Sequence, residues 1–247
     1  MTALVALTER VIIRATRDLD LLFAIVAPVV TLIGFTLALR NVIDTGGMNY
    51  TQYVLPAVVV QAMLFGALTT TDRAAQEQMT GFGVRLRTLP MSVLAPLTAR
   101  MIYCLIRGAF AVAAAFATAY FFGFEMTGGL LYGVAFVVLA LTLTLALSLG
   151  ADATGTRAQR TEVASQLLLV PQLLLVLLST GMAPVEAFPG WLQPFVRYQP
   201  ISQVTETLRG FTQGHVSGPN LATTLAWCLG LLLLFGAVAI RMQRRTR

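Results

Sequence analysis

Six long apolar runs, almost empty of charge, dominate this chain of 247 residues. They cover about residues 21–39, 53–71, 101–124, 128–151, 163–182 and 221–240. A helix needs about 20 apolar residues to cross about 30 Å of hydrocarbon. Each run is of that order, so the expected fold class is an all-α membrane protein with six transmembrane helices. The third run reaches back to Met101 if Arg107 snorkels to the interface, and otherwise starts at Gly108. Composition closes off the soluble alternative. Only 11% of residues are charged, against roughly 25% in a soluble domain.

An even number of spans puts both termini on one side, and the arginines say which. With both ends cytoplasmic, 13 of the 17 basic residues fall inside. They sit in the N-terminal tail, in the loops after spans two and four, and in the C-terminal tail. Arg40, Arg197 and Arg209 fall outside, and Arg107 lies near the inner face. This is the positive-inside pattern of a multi-pass protein in a bacterial cytoplasmic membrane. The net charge of +6 therefore flanks apolar runs and calls for no nucleic-acid partner.

Every one of those 17 basic residues is arginine. Without lysine there is no Schiff-base chemistry and no Walker A lysine beneath a nucleotide phosphate. Cys104 and Cys228 lie singly in apolar runs and match no metal spacing. His215 is the only histidine and has no ligand-spaced neighbour, and nothing in the spacing pairs Glu125 with Glu186. The pattern holds no catalytic constellation and no metal site.

The whole chain, 1–247, reads as one membrane domain. Residues 1–18 carry an apolar stripe of Leu4, Val5, Val11 and Ile12 beside Arg10, Arg14 and Arg17. That fits an interfacial helix, against the alternative of a disordered tail. It is not a convincing signal peptide, because its charged part is long and contains acids. No Asp, Glu or His stands in the middle of an apolar run, so an ion-coupled pump is disfavoured. Gln61, Gln166 and Gln172 are mild polar groups within runs. They either hydrogen-bond between helices or line a substrate path.

Two hydrophilic segments exceed a minimal turn. The inner one, 72–100, mixes charges with isolated apolar residues and has Gly81 and Gly83 for a bend. It reads either as a docking helix, with Leu86 and Leu89 offered to a groove on a partner, or as a solvated loop. The outer one, 183–212, holds Pro184, Pro189, Pro194 and Pro200 together with Phe188, Trp191, Phe195 and Tyr198. Rings of this kind suit a membrane interface.

These segments also carry a resemblance. Glu77 and Gly81, followed by Arg85-Leu86-Arg87-Thr88-Leu89-Pro90, resemble the coupling region of ABC-2 type transporter permeases, in particular the daunorubicin-resistance-type exporter branch. Arg100 matches the basic residue that opens the next span there. Ser179 to Pro184, then Phe188-Pro189-Gly190-Trp191, Gln199-Pro200 and Glu206 to Gly210, resemble that family's segment between its last two spans. Gln199 stands where the family often has Asn, also a neutral amide.

The resemblance implies an ATP-driven exporter of an amphipathic drug-like or lipid substrate. Two permeases, identical or paralogous, would form a twelve-span core. Each would dock one ATP-binding subunit, two copies in all, holding Mg-ATP; this chain would hold no cofactor. Coupling would fall to Glu77, Gly81, Arg85, Leu86, Arg87 and Pro90. A re-entrant outer gate would involve Pro184, Pro189, Trp191, Pro200, Glu206 and Arg209. The competing expectation is a membrane scaffold or assembly component with no stable ATPase partner.

Overall fold

In lipid the backbone must satisfy its own hydrogen bonds, and a chain rich in long apolar runs does so as helices. A computed structural model describes residues 2–17, 19–39, 49–80, 92, 94–157, 161–181 and 183–245. Among these residues the regular structure is entirely helical. The order is α1 (Thr2–Arg17), α2 (Asp20–Leu39), α3 (Tyr50–Met79), α4 (Ala95–Phe121), α5 (Gly129–Arg157) and α6 (Thr161–Leu177). A 3-10 turn (Val185–Ala187), α7 (Gln193–Tyr198), α8 (Pro200–Gln213) and α9 (Gly218–Arg245) follow. Five of them, α2 to α5 and α9, are long and apolar enough to cross a membrane. The protein is an all-α membrane protein.

Local chemistry sets the helix ends. Asn49 caps α3, its Oδ1 accepting from Thr51 N–H at 3.1 Å. Pro96 and Pro200 stand in the first turns of α4 and α8, where a missing N–H costs no helical bond. Gly214 ends α8 in the left-handed conformation at φ 72°. The carbonyl of Gly210 there accepts from His215 N–H at 3.0 Å.

The helices run past the apolar stretches, and the reason is electrostatic. The second run ends near residue 71, yet α3 continues to Met79 and takes in Asp72, Arg73 and Glu77. The fourth run ends at 151, yet α5 continues through Asp152 to Arg157. Arg73, Glu77 and Asp152 stay within helices because each finds an opposite charge on a neighbour. The fifth run is the exception. Helix α6 is only 17 residues long and stops at Leu177 rather than 182. Pro171 lies inside that helix and does not end it.

Helix α3 is the hub. It packs most extensively on α5 and also touches α2, α4, α6 and α8. Most of its residues are buried, whereas α9 touches α5 and α8 and leaves much of its apolar surface outward. Helix α1 lies against α4 and α2. The main core joins Leu55, Val58, Val59 and Met63 of α3 to Ala111 and Ala115 of α4, Phe136 and Leu143 of α5, and Val204 and Leu208 of α8. The rings of Phe116, Phe124 and Phe136 meet edge to face within it.

Candidate functional site

The core leaves polar clusters at the two ends of α3. At the Met79 end, charges from four helices meet. Asp20, at the start of α2, accepts from the Tyr103 hydroxyl at 2.7 Å. The same carboxylate pairs with Arg73 at 3.4 Å and Arg107 at 3.3 Å. Arg73 also lies over the Tyr103 ring, 4.9 Å from its centroid. Beside this group, Arg100 of α4 joins α3 to α5. Its Nη1 donates to Glu77 Oε2 at 2.6 Å. Its Nε and Nη2 reach both oxygens of Asp152, at 2.7 and 3.2 Å. Asp152 is 1% exposed. A charge so buried is tolerable only when paired and hydrogen-bonded, and a forked arginine supplies both.

Arg107 is thus a buried, paired charge held by Asp20, not one reaching water at the end of its helix. Asp152 is an acid inside a helix of membrane-crossing length, where the apolar pattern placed none in mid-run. Sequence reasoning missed Asp20, Arg73, Tyr103 and Asp152 as a group. The available signal was an acid bounding an apolar run, Asp20 before the first and Asp152 after the fourth, where the positive-inside pattern favours arginine.

At the Tyr50 end, a broken path is stitched together by side chains. After α6 stops, the carbonyl of Leu178 accepts from Gln199 Nε2. The carbonyl of Thr180 accepts from the Tyr53 hydroxyl at 3.2 Å and from Arg209 at 3.3 Å. Thr180 N–H donates to Ser202 Oγ at 3.1 Å. Non-helical backbone at such a level survives only with partners of this kind. A Cβ at Gly181 would stand 2.9 Å from that of Ala57, so the turn packs closely on α3. Nearly every face of α8 is buried, and Thr207 meets Thr224 of α9 at 2.7 Å. The turn between α4 and α5 closes on the end of α8, where Thr127 N–H donates to the Thr212 carbonyl at 3.2 Å.

The expected site residues divide accordingly. Glu77 sits in the last turn of α3 and pairs with Arg100. Gly81, Arg85, Leu86, Arg87 and Pro90 lie outside the described residues. Glu206 and Arg209 pair at 2.9 Å on α8, and Pro200 opens that helix. Pro184 and Pro189 flank the 3-10 turn on the exposed surface, and Trp191 beyond them is 80% exposed. Gln61, Gln166 and Gln172 are not gathered into one site. Gln172 is buried, Gln61 half-buried and Gln166 exposed. Among the described residues no group of acids, histidines and cysteines is placed to hold a metal.

Five helices of membrane-crossing length, with polar clusters at the two ends of α3, define a multi-pass membrane protein. The chain belongs to the ABC-2 type transporter family, which matches residues 2–211. It is 33% identical to the doxorubicin resistance ABC transporter permease protein DrrB of Mycobacterium tuberculosis (strain ATCC 25618 / H37Rv), over 87% of this chain and 79% of that one. It is 26% identical to the probable doxorubicin resistance ABC transporter permease protein DrrC of the same strain, over 92% and 83%. It is 24% identical to the daunorubicin resistance ABC transporter permease protein DrrB1 of Streptomyces coeruleorubidus, over 91% and 80%. The chain is accordingly a multi-pass membrane protein of the ABC-2 type transporter family.

Proposed function

We propose that this permease is the membrane-spanning subunit of an ATP-driven exporter for amphipathic drug-like or lipid substrates. ATP, with Mg, is bound and hydrolysed by a separate cassette subunit that docks on the loop after α3. One observation carries the proposal. Helix α3 runs without a break from the cluster around Tyr53 and Arg209 to the ion pair of Glu77 with Arg100. A displacement imposed at the loop, through Glu77, Gly81, Arg85, Leu86, Arg87 and Pro90, is thereby delivered to the broken segment at the other end. That segment, with Pro184, Pro189, Trp191, Pro200, Glu206 and Arg209, is the outer gate.

The substrate class is supported by the relatives, whose names record resistance to doxorubicin and daunorubicin. Two permeases assemble with two cassette subunits. The occurrence of DrrB-type and DrrC-type relatives in one organism supports a paralogous second permease. Both termini face the cytoplasm of a bacterial cell.

The test is substitution of Leu86 or Arg87 by Ala in the complete transporter. Inverted vesicles given Mg-ATP in the surrounding medium report both doxorubicin uptake and phosphate release. The expected result is an inserted chain whose complex still hydrolyses ATP but no longer accumulates the drug. Coupling equal to that of the unsubstituted complex would count against the docking assignment.

A further inference from the structure

We infer that Arg100 is a positioning residue, a clamp that makes the adjoining ends of α3, α4 and α5 move as one body. The inference rests on the exporter reading above and names how its motion is transmitted. Three facts meet at this side chain. Glu77 lies in the last turn of α3 and Arg100 in the second turn of α4, so the two helices that bracket residues 80–94 are tied directly to each other. The same guanidinium holds both oxygens of Asp152, so the tie extends to α5, the main packing partner of α3 and of α9. All three groups are largely sealed, with side chains 11%, 17% and 1% exposed for Arg100, Glu77 and Asp152.

The geometry is specific to arginine. Two edges of one planar group face two carboxylates on different helices, an arrangement that a single ammonium point cannot reproduce. The neighbouring set of Asp20, Arg73 and Arg107 complements it, giving three acids and three arginines across α2, α3, α4 and α5. Arg73, Glu77, Arg100 and Tyr103 border one small cavity of about 30 Å³, closed on its far side by Arg10 and Val11 of α1. The two sets therefore stand side by side around one cavity, with Arg10 a further arginine on its border. Force applied to the loop meets three helices held together instead of two free helix ends.

The clamp is tested in the complete transporter with a reporter that needs no knowledge of the cargo. Glu186→Cys places a thiol on the exposed 3-10 turn, and the native Cys104 and Cys228 are buried. Its labelling rate by a membrane-impermeant maleimide is compared with and without ATP plus orthovanadate. The unsubstituted reporter complex is expected to change its rate. Arg100→Lys is expected to shrink that change by about fivefold or more, at the low end of typical coupling between sites, while ATP hydrolysis stays within about twofold. Glu77→Gln, which frees only the α3 end, is expected to shrink the ATP-dependent change likewise and serves if the lysine variant is not inserted. A group that merely stabilised the fold would lower thermal stability and leave the ATP-dependent change intact. Variants that respond as fully as a responding parent overturn the clamp alone. A parent that shows no ATP-dependent change overturns the exporter reading together with the clamp.

Discussion

The guanidinium of Arg209 lies over the ring of Tyr53, 3.9 Å from its centroid, and also donates to the backbone carbonyl of that tyrosine at 3.2 Å. Tyr53 in turn donates to the Thr180 carbonyl, which Arg209 also reaches. One arginine on α8 thus holds the first turns of α3 and the break after α6 in fixed register. Its Nη1 completes the arrangement on Glu206, itself partly open to solvent.

Removing Arg209 is expected to loosen this end. Arg209→Ala strips a donor from two buried carbonyls, at about 1–3 kcal/mol for each group left short. It also removes a desolvated cation–π contact worth about 2 kcal/mol. Partial compensation at Thr180 by the Tyr53 hydroxyl brings the expected loss to about 3 kcal/mol. Arg209→Lys keeps the charge but not the fork, and is expected to lose more than about 1 kcal/mol. Glu206→Gln, at an exposed position, is expected to cost under about 1 kcal/mol. Thermal unfolding in detergent reads the order; an Arg209→Ala midpoint equal to that of the parent would refute it.

Close approach of α3 and α5 gives a second prediction. A Cβ at Gly155 would stand 2.4 Å from the Thr71 carbonyl oxygen and 2.8 Å from the Ala74 Cβ. The first of these is helix backbone and cannot rotate away. Small residues at such crossings are what let membrane helices pack. Gly155→Ala is therefore expected to destabilise by about 2 kcal/mol, within the usual range for overpacking. Gly34, on the exposed side of α2, has no atom within 4 Å of its ideal Cβ. Gly34→Ala is expected to be neutral or to gain up to about 1 kcal/mol from helix propensity. Equal midpoints for the two variants would contradict the packing argument.

What could be read from the residues alone follows from which forces are local. Apolar runs announce helices because burial in lipid acts on each residue in turn, and α2 begins and ends within a residue of its run. The pairing of Arg100 with Glu77 and Asp152 was not legible, since it joins positions 23 and 52 residues away. Each member looked like an ordinary flank to an apolar run. The early end of α6 was hidden for the same reason. The donors that permit it, on Gln199, Tyr53 and Arg209, lie 21 to 127 residues from the carbonyls they serve. The outer segment was legible as irregular from its prolines and as short re-entrant helices between spans five and six from the family resemblance, but the packing of α8 was not. The apolar and small polar residues of α8 look like those of a solvated helix until its packing against α3, α5 and α9 is seen.

Orientation yields the last prediction. The clusters divide the described residues into two ends. Asp20, Glu77, Arg100 and Asp152 mark one, and Asn49, Thr180 and Arg209 mark the other. Among the described residues most arginines flank the first end, and Trp191, Phe195 and Tyr198 stand exposed at the second. Arginine marks the cytoplasmic face, and aromatic rings settle at the interfaces. A cysteine at Glu186 is therefore expected to react with an impermeant maleimide in intact cells. One at Met79, which is 61% exposed at the opposite end, is expected to react only after the membrane is opened. The native cysteines stay silent because both are buried. Labelling at position 79 but not 186 in intact cells would invert the protein in its membrane and place the loop after α3 out of reach of any ATP-binding partner.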